Sequence, residues 1–232
     1  MFNRSCVLFA VIGLPLCAAP LTNGSFETNT CGPLGSQFSG VFLTVLQPST
    51  CITGWNVISG TTDAGFGSVD LINTYWQAKD GAYSIDLDGT GTTTPSDVPG
   101  GVSQSFTTTP GTEYIVTFAL SGNPDGAPSA NPVKTVLVSG PGATQTYTYN
   151  TATEMNTHTD MKYVTETFVF TATGASSTLM FQSEDAPTSN FGPVIDAVVA
   201  APVPEPGTWL LTGAALAALM AFRFRTSPAG LC

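Results

Sequence analysis

The chain has 16 carboxylates, six basic side chains and one histidine in 232 residues. His158 sits in Asn156-Thr157-His158-Thr159-Asp160. A Ser-His-Asp hydrolase would have to use it as its base. No Gly-x-Ser-x-Gly elbow accompanies it, so it reads as a solvated loop histidine. Paired carboxylates could run glycoside hydrolysis, but spacing alone nominates no pair. The expectation is therefore no catalytic residues and no enzyme. Asp86-Leu87-Asp88 places two carboxylates on one strand face, followed by Gly89-Thr90-Gly91. Calcium takes several such oxygens, which makes Asp86 and Asp88 weak candidates for a structural calcium. The full EF-hand loop is missing, and the competing reading is a strand ending in a hydrogen-bonded turn. Asp196 lies between Ile195 and Ala197 in an apolar strand. A buried charge needs hydrogen-bond partners, so its expected role is structural. No cofactor is expected otherwise: there is no Cys-x-x-Cys, His cluster, phosphate loop or nucleotide fingerprint.

Tyr75-Trp76 precedes Gln77, Lys79 and Asp80. A sugar site uses an aromatic face for CH groups and polar side chains for hydroxyls. Tyr75, Trp76 and Asp80 are the candidate ligand-binding residues, with Trp76 as the stacking platform. Neighbours in a strand point to opposite faces, so at most one aromatic need be core. Core packing of Trp76 is the competing reading.

Charge narrows the ligand. Residues 20–201 hold three lysines and fifteen carboxylates, a net −12. Such a surface repels nucleic acid and anionic lipid and suits neutral polysaccharide or divalent cations. Of five cysteines, Cys6 and Cys17 precede the domain and Cys232 follows it. Cys31 and Cys51 remain, and in an oxidising compartment they are expected to form a disulfide.

The elements that must carry these residues are strands. Short alternating runs rich in Thr, Val and Phe are separated by Gly, Pro and Asp turns, the pattern of an antiparallel sandwich. The clearest is Thr112–Leu120, with Tyr114, Val116, Phe118 and Leu120 on one face. Further strands are expected at 41–46, 54–58, 68–72, 83–87, 102–106, 133–138, 145–149, 164–172, around Leu179 and Phe181, and at 194–199. No long 3.6-residue period occurs before the tail.

An ordered set of motifs runs through the domain: Leu21-Thr22-Asn23-Gly24-Ser25-Phe26-Glu27, Gly54-Trp55, Val69-Asp70-Leu71-Ile72, Trp76-Gln77-Ala78-Lys79-Asp80-Gly81, Ser84-Ile85-Asp86-Leu87-Asp88-Gly89, Gly101-Val102-Ser103-Gln104-Ser105-Phe106, Leu120-Ser121-Gly122-Asn123-Pro124 and Gly192-Pro193-Val194-Ile195-Asp196. This order resembles the choice-of-anchor C family and plant cell-wall proteins built on galactose-binding-like domains. The resemblance implies an all-β jelly-roll sandwich and association with carbohydrate or a cell surface. It brings no established catalytic residues.

The ends read as sorting segments. Arg4, the apolar run Val7–Leu16 and Ala18-Ala19 form a signal peptide over residues 1–19. Leu16 argues against a lipoprotein at Cys17. At the other end, Thr208–Phe222 is uncharged and made of helix formers. Its length of about 15 residues is under the ~20 that span a bilayer comfortably. Pro204, Glu205 and Pro206 precede this run, and Arg223 and Arg225 follow it. The combination resembles a PEP-CTERM sorting signal; the alternative is a plain tail anchor. The resemblance implies an exosortase-type membrane protease as partner, transient anchoring in the inner membrane by a transmembrane helix, and delivery to the outside or surface of a Gram-negative cell. The expected organisation is a signal helix at 1–19, the sandwich at 20–201, the sorting segment at 202–225 and a short tail at 226–232. The expected function is non-catalytic polysaccharide binding, with a structural matrix component or a carbohydrate-active enzyme as alternatives.

Overall fold

The structure is a computed structural model, and it describes residues 21–32, 41–61, 66–90, 98–125, 131–187, 189–204 and 213. The signal segment, most of the sorting segment (Glu205, Pro206, Arg223 and Arg225 included) and the short tail lie outside the described residues. Among the described residues no helix is long and apolar enough to cross a membrane.

Among the described residues, twelve strands and one helical turn follow in order: β1 (Phe42–Leu46), β2 (Asn56–Ser59), β3 (Ser68–Ile72), β4 (Ser84–Asp86), β5 (Asp88–Gly89), β6 (Val98–Thr107), β7 (Glu113–Gly122), β8 (Val133–Gly140), β9 (Ala143–Asn150), α1 (Thr151–Glu154), β10 (Val164–Thr171), β11 (Ser176–Ser183) and β12 (Pro193–Pro202). One sheet runs β1-β3-β4-β12-β7-β10 and the other β2-β6-β11-β8-β9. Neighbours are antiparallel, except for a single parallel pair, Ser68 with Pro99, where β6 begins. The architecture is a jelly-roll-like β-sandwich.

Strand β6 joins the layers. Its start pairs with β3 and β5, and its remainder with β2 and β11. The crossing falls at Gly100-Gly101 for a steric reason. A Cβ on Gly100 would lie 2.3 Å from the Ser68 carbonyl oxygen, and one on Gly101 2.4 Å from that of Phe181. Only a residue without a side chain fits between the sheets there.

The alternation read from the sequence sets the core. Tyr114, Val116, Phe118 and Leu120 of β7 are buried with Phe168 and Phe170 of β10, Phe181 of β11 and Val136 and Val138 of β8. Phe118 meets Phe181 edge-on, with ring centroids 5.1 Å apart. The opening motif closes one end of this core. Phe26 is fully buried beside Trp55, whose indole N–H donates to the Asn23 carbonyl at 2.9 Å. Cys31 and Cys51 are bonded, with Cα atoms 4.7 Å apart, and so hold this N-terminal segment beside the start of β2.

The opposite face of the first sheet is not simply solvated. Phe42, Ile72 and Val194 project from β1, β3 and β12, and Trp76 and Met161 close over them as a second, smaller apolar cluster. The covering residues come from two connections, 73–83 and 155–163. These connections hold the site.

Candidate functional site

Tyr75 and Trp76 have different fates. Trp76 is 4% exposed, and its indole N–H donates to the Ser84 hydroxyl at 2.9 Å. A ring with its only polar atom satisfied inside a packed cluster is a core residue. The expectation of Trp76 as a stacking platform is corrected on this ground: the indole is not open for a ligand to lie across it. Tyr75 is half-buried. Its ring lies 5.5 Å from Phe42, and His158 meets it edge-on at 4.5 Å.

Asp125 ties the two connections together. The Tyr75 hydroxyl donates to its Oδ2 at 2.6 Å, and His158 Nε2 lies 2.6 Å from Oδ1. The hydrogen bond to Asp125, and then burial, push the Tyr75 pKa up to about 12. The hydroxyl therefore stays protonated and keeps donating. Asn123 anchors the backbone of Asp125. Its side-chain oxygen accepts the Asp125 N–H at 2.9 Å, and its amide donates to Asp86 Oδ2 at 2.7 Å.

Beside this group is a cavity of about 240 Å³. Its walls include Tyr75, Trp76, Phe191, Asn123, Asp125 and Asn190. Phe191 is 37% exposed and presents an aromatic surface to solvent. Apolar rings and amide or carboxylate groups thus converge on one concave surface. That is the chemistry of a site for a polyhydroxylated ligand. Asp80 is not brought into it. Asp80 is an exposed turn residue, and its backbone N–H donates to Asp196 Oδ2 at 3.0 Å.

The carboxylates singled out by spacing are buried. Asp86 Oδ1 accepts the backbone N–H groups of Asp88 and Gly192, both at 3.0 Å, and Oδ2 accepts from Asn123. It joins β4, the turn before β12 and the end of β7. Burial, then the charges of Asp88 and Asp70, hold its carboxyl well above the usual range. Asp88 is pushed up to about 7 by burial and by Asp185. Ser183 and Ser189 lie near enough to soften that shift, but neither makes a hydrogen bond of ordinary geometry to Asp88. Buried Lys134 counters it further. Among the described residues no group of three or more His, Cys, Asp or Glu side chains is arranged to hold a metal. Asp86 and Asp88 are not brought into a calcium cage: Asp86 is a hydrogen-bonding hub. Asp196 accepts N–H groups from Lys79, Asp80 and Ala197, the partners its burial requires.

Asp125 and the bound state of His158 were not legible in the sequence. The two are 33 positions apart, and only the folding of both connections over one sheet face joins them. His158 has Asp125 and the Tyr75 and Trp76 rings as partners, and no serine or cysteine among the described residues hydrogen-bonds to it. A hydrolase triad is not assembled there.

The family model for "Protein of unknown function (DUF642)" matches residues 19–201. The chain belongs to the DUF642 family. Halomucin of Haloquadratum walsbyi is 33% identical over 151 residues, which are 60% of this chain and 2% of Halomucin. The chain therefore spans a very small part of that curated relative. Solved structures with related folds include CBM4, with a TM-score of 0.40 at 13% identity, covering 79% of this chain and 99% of that one. CBM35 from Paenibacillus barcinonensis has a TM-score of 0.37 at 10% identity, covering 68% and 98%. An arabinose-bound α-L-arabinofuranosidase has a TM-score of 0.47 at 10% identity, covering 80% of this chain and 26% of the enzyme.

Proposed function

We propose that this DUF642 protein is an exported, non-catalytic polysaccharide-binding protein that takes a neutral sugar unit in the cavity beside Tyr75. The observation that carries the reading is the wall of that cavity. Tyr75 and Phe191 offer apolar faces, and Asn123, Asp125 and Asn190 offer groups for hydroxyls. The volume of about 240 Å³ suits about one sugar ring. The net −12 of residues 20–201 favours a neutral polymer over a densely anionic one.

The export half of the reading rests on the segment that follows the domain. The Pro204-Glu205-Pro206 segment, the apolar run and Arg223 and Arg225 resemble a PEP-CTERM signal. Cleavage by an exosortase-type protease would release or attach the domain outside a Gram-negative cell, as the choice-of-anchor C resemblance also implies. Intact-mass measurement on protein from its host should find Trp209–Arg225 missing from the extracellular form. Finding that segment still attached would reject the sorting half of the proposal.

A glycan array tests the binding half. Retention of the purified protein on one or more neutral polysaccharides is expected, without release of reducing sugar. Retention on none would favour a structural matrix component without a discrete ligand. Release of sugar, abolished by acid-to-amide substitution, would favour a carbohydrate-active enzyme.

A further inference from the structure

Residues 20–201 contain three lysines and no arginine. Lys134 is 2% exposed and lies among buried acids. The other two, Lys79 and Lys162, are both exposed. They line one cavity of about 310 Å³, together with Gln77, Asp160 and Tyr163. Both solvent-facing cations of a domain with net charge −12 thus meet at a single concavity. Lys162 is paired with Asp160 at 2.5 Å. The Lys79 ammonium has no ion pair among the described residues.

This cavity is built from the same two connections as the Tyr75 site. Tyr75 and Trp76 wall one cavity, and Gln77 and Lys79 the other. The Gln77 N–H donates to the His158 carbonyl at 2.8 Å and locks the connections together between them. Asp196 holds the Lys79 turn by accepting the Lys79 N–H at 2.7 Å. The lysine backbone is therefore anchored to the sheet.

We propose that the Lys79–Lys162 cavity receives the carboxylate of an acidic sugar, a uronic acid unit in a polysaccharide whose neighbouring neutral unit occupies the Tyr75 cavity. The neutral-unit part rests on the glycan reading above, and the carboxylate part does not. Lys162 is held by Asp160, and the Asp80 and Asp196 carboxyls lie on the Lys79 turn, so the cavity is not positive overall. Lys79, with no ion pair among the described residues, is the cation available to one carboxylate. Lysine is a flexible point charge, which suits a carboxylate carried on a sugar in a wet, open site. The Gln77 amide and the Tyr163 ring supply the polar and apolar contacts a sugar needs. The surrounding negative field repels a densely charged polyanion, so acidic units must be spaced by neutral ones.

NMR titration of the protein with methyl glucuronide, methyl glucoside and acetate tests this. Methyl glucuronide is expected to shift signals of Lys79, Lys162 and Tyr163. Methyl glucoside should shift only signals near Tyr75 and Phe191. Replacing both Lys79→Ala and Lys162→Ala should weaken glucuronide binding about tenfold, as expected for lost hydrogen bonds to a charged group, with an unchanged melting temperature. No shift at Lys79 and Lys162 with glucuronide would overturn the inference, even where glucoside still reports at Tyr75. Acetate shifting them as strongly as glucuronide would also overturn it, since the site would then be one for any small anion. Glucuronide bound at Lys79 with no glucoside effect at Tyr75 would instead support the carboxylate site and remove the neutral sugar site.

Discussion

At Trp76 the indole packs against Phe42, Ile72, Met161 and Val194 and donates its N–H to Ser84. Trp76→Ala removes that packing and leaves a hole under both connections. A loss of about 3–5 kcal/mol is expected, read as a lower midpoint in urea denaturation. Tyr75→Phe is milder. It removes one of the two donors on Asp125 and leaves His158 in place. About 0.5–1.5 kcal/mol is expected, measured by the same denaturation, with the aromatic wall of the cavity intact. Tyr75 and Trp76 lie not in a strand but in connection 73–83, with ring centroids 5.5 Å apart and both rings against His158, so the sequence misled in setting them on opposite faces. Where each ring lies depends on connection 155–163 arriving over the same sheet face. For the same reason Asp125 was not identified: its partners Tyr75 and His158 are 50 and 33 residues distant.

The strands were the legible elements. Alternation placed β7 with the correct inward face, and Ser68–Ile72 coincides with β3. The two-residue β5 was not visible, and neither was the α1 turn. The α1 turn depends on the Asn150 side chain accepting the Ala152 and Thr153 N–H groups rather than on helix-forming residues. The start of β6 was missed because Pro99, Gly100 and Gly101 read as a turn. Their lack of bulk instead lets the strand cross between sheets. Three buried acids make the stability of the fold depend on pH. Burial raises Asp196 to about 7, and Asp88 to about 7 with the help of Asp185; Asp185 itself is raised by burial to about 6. Each value exceeds the ordinary carboxyl value of 3.8. Between about pH 4 and pH 7 the folded protein therefore holds protons that the unfolded chain releases, and stability falls as pH rises through that window. The urea midpoint should be higher at pH 5 than at pH 8. Asp88→Asn, which cannot ionise, should narrow the difference. A midpoint that rises with pH would contradict this account of the buried acids.

On the scale of the whole molecule, a sandwich of ordinary size carries one sheet face for packing and one face roofed by two connections. The Cys31–Cys51 bond closes a loop of 20 residues. Replacing both cysteines with serine should cost about 3 kcal/mol in the chain-entropy model, measured by denaturation under non-reducing conditions. The fold class and the acidic surface could be read from composition and alternation. The roofed face could not, since its connections have no periodicity to betray where they lie. The claim that this face is a glycan site is tested most directly by calorimetric titration of a neutral polysaccharide retained on the array against Phe191→Ala. Phe191 is 37% exposed and lies outside both apolar clusters, so its removal should leave the melting temperature unchanged. The account predicts lost binding with that unchanged melt. Undiminished binding by Phe191→Ala with an unchanged melt would contradict it.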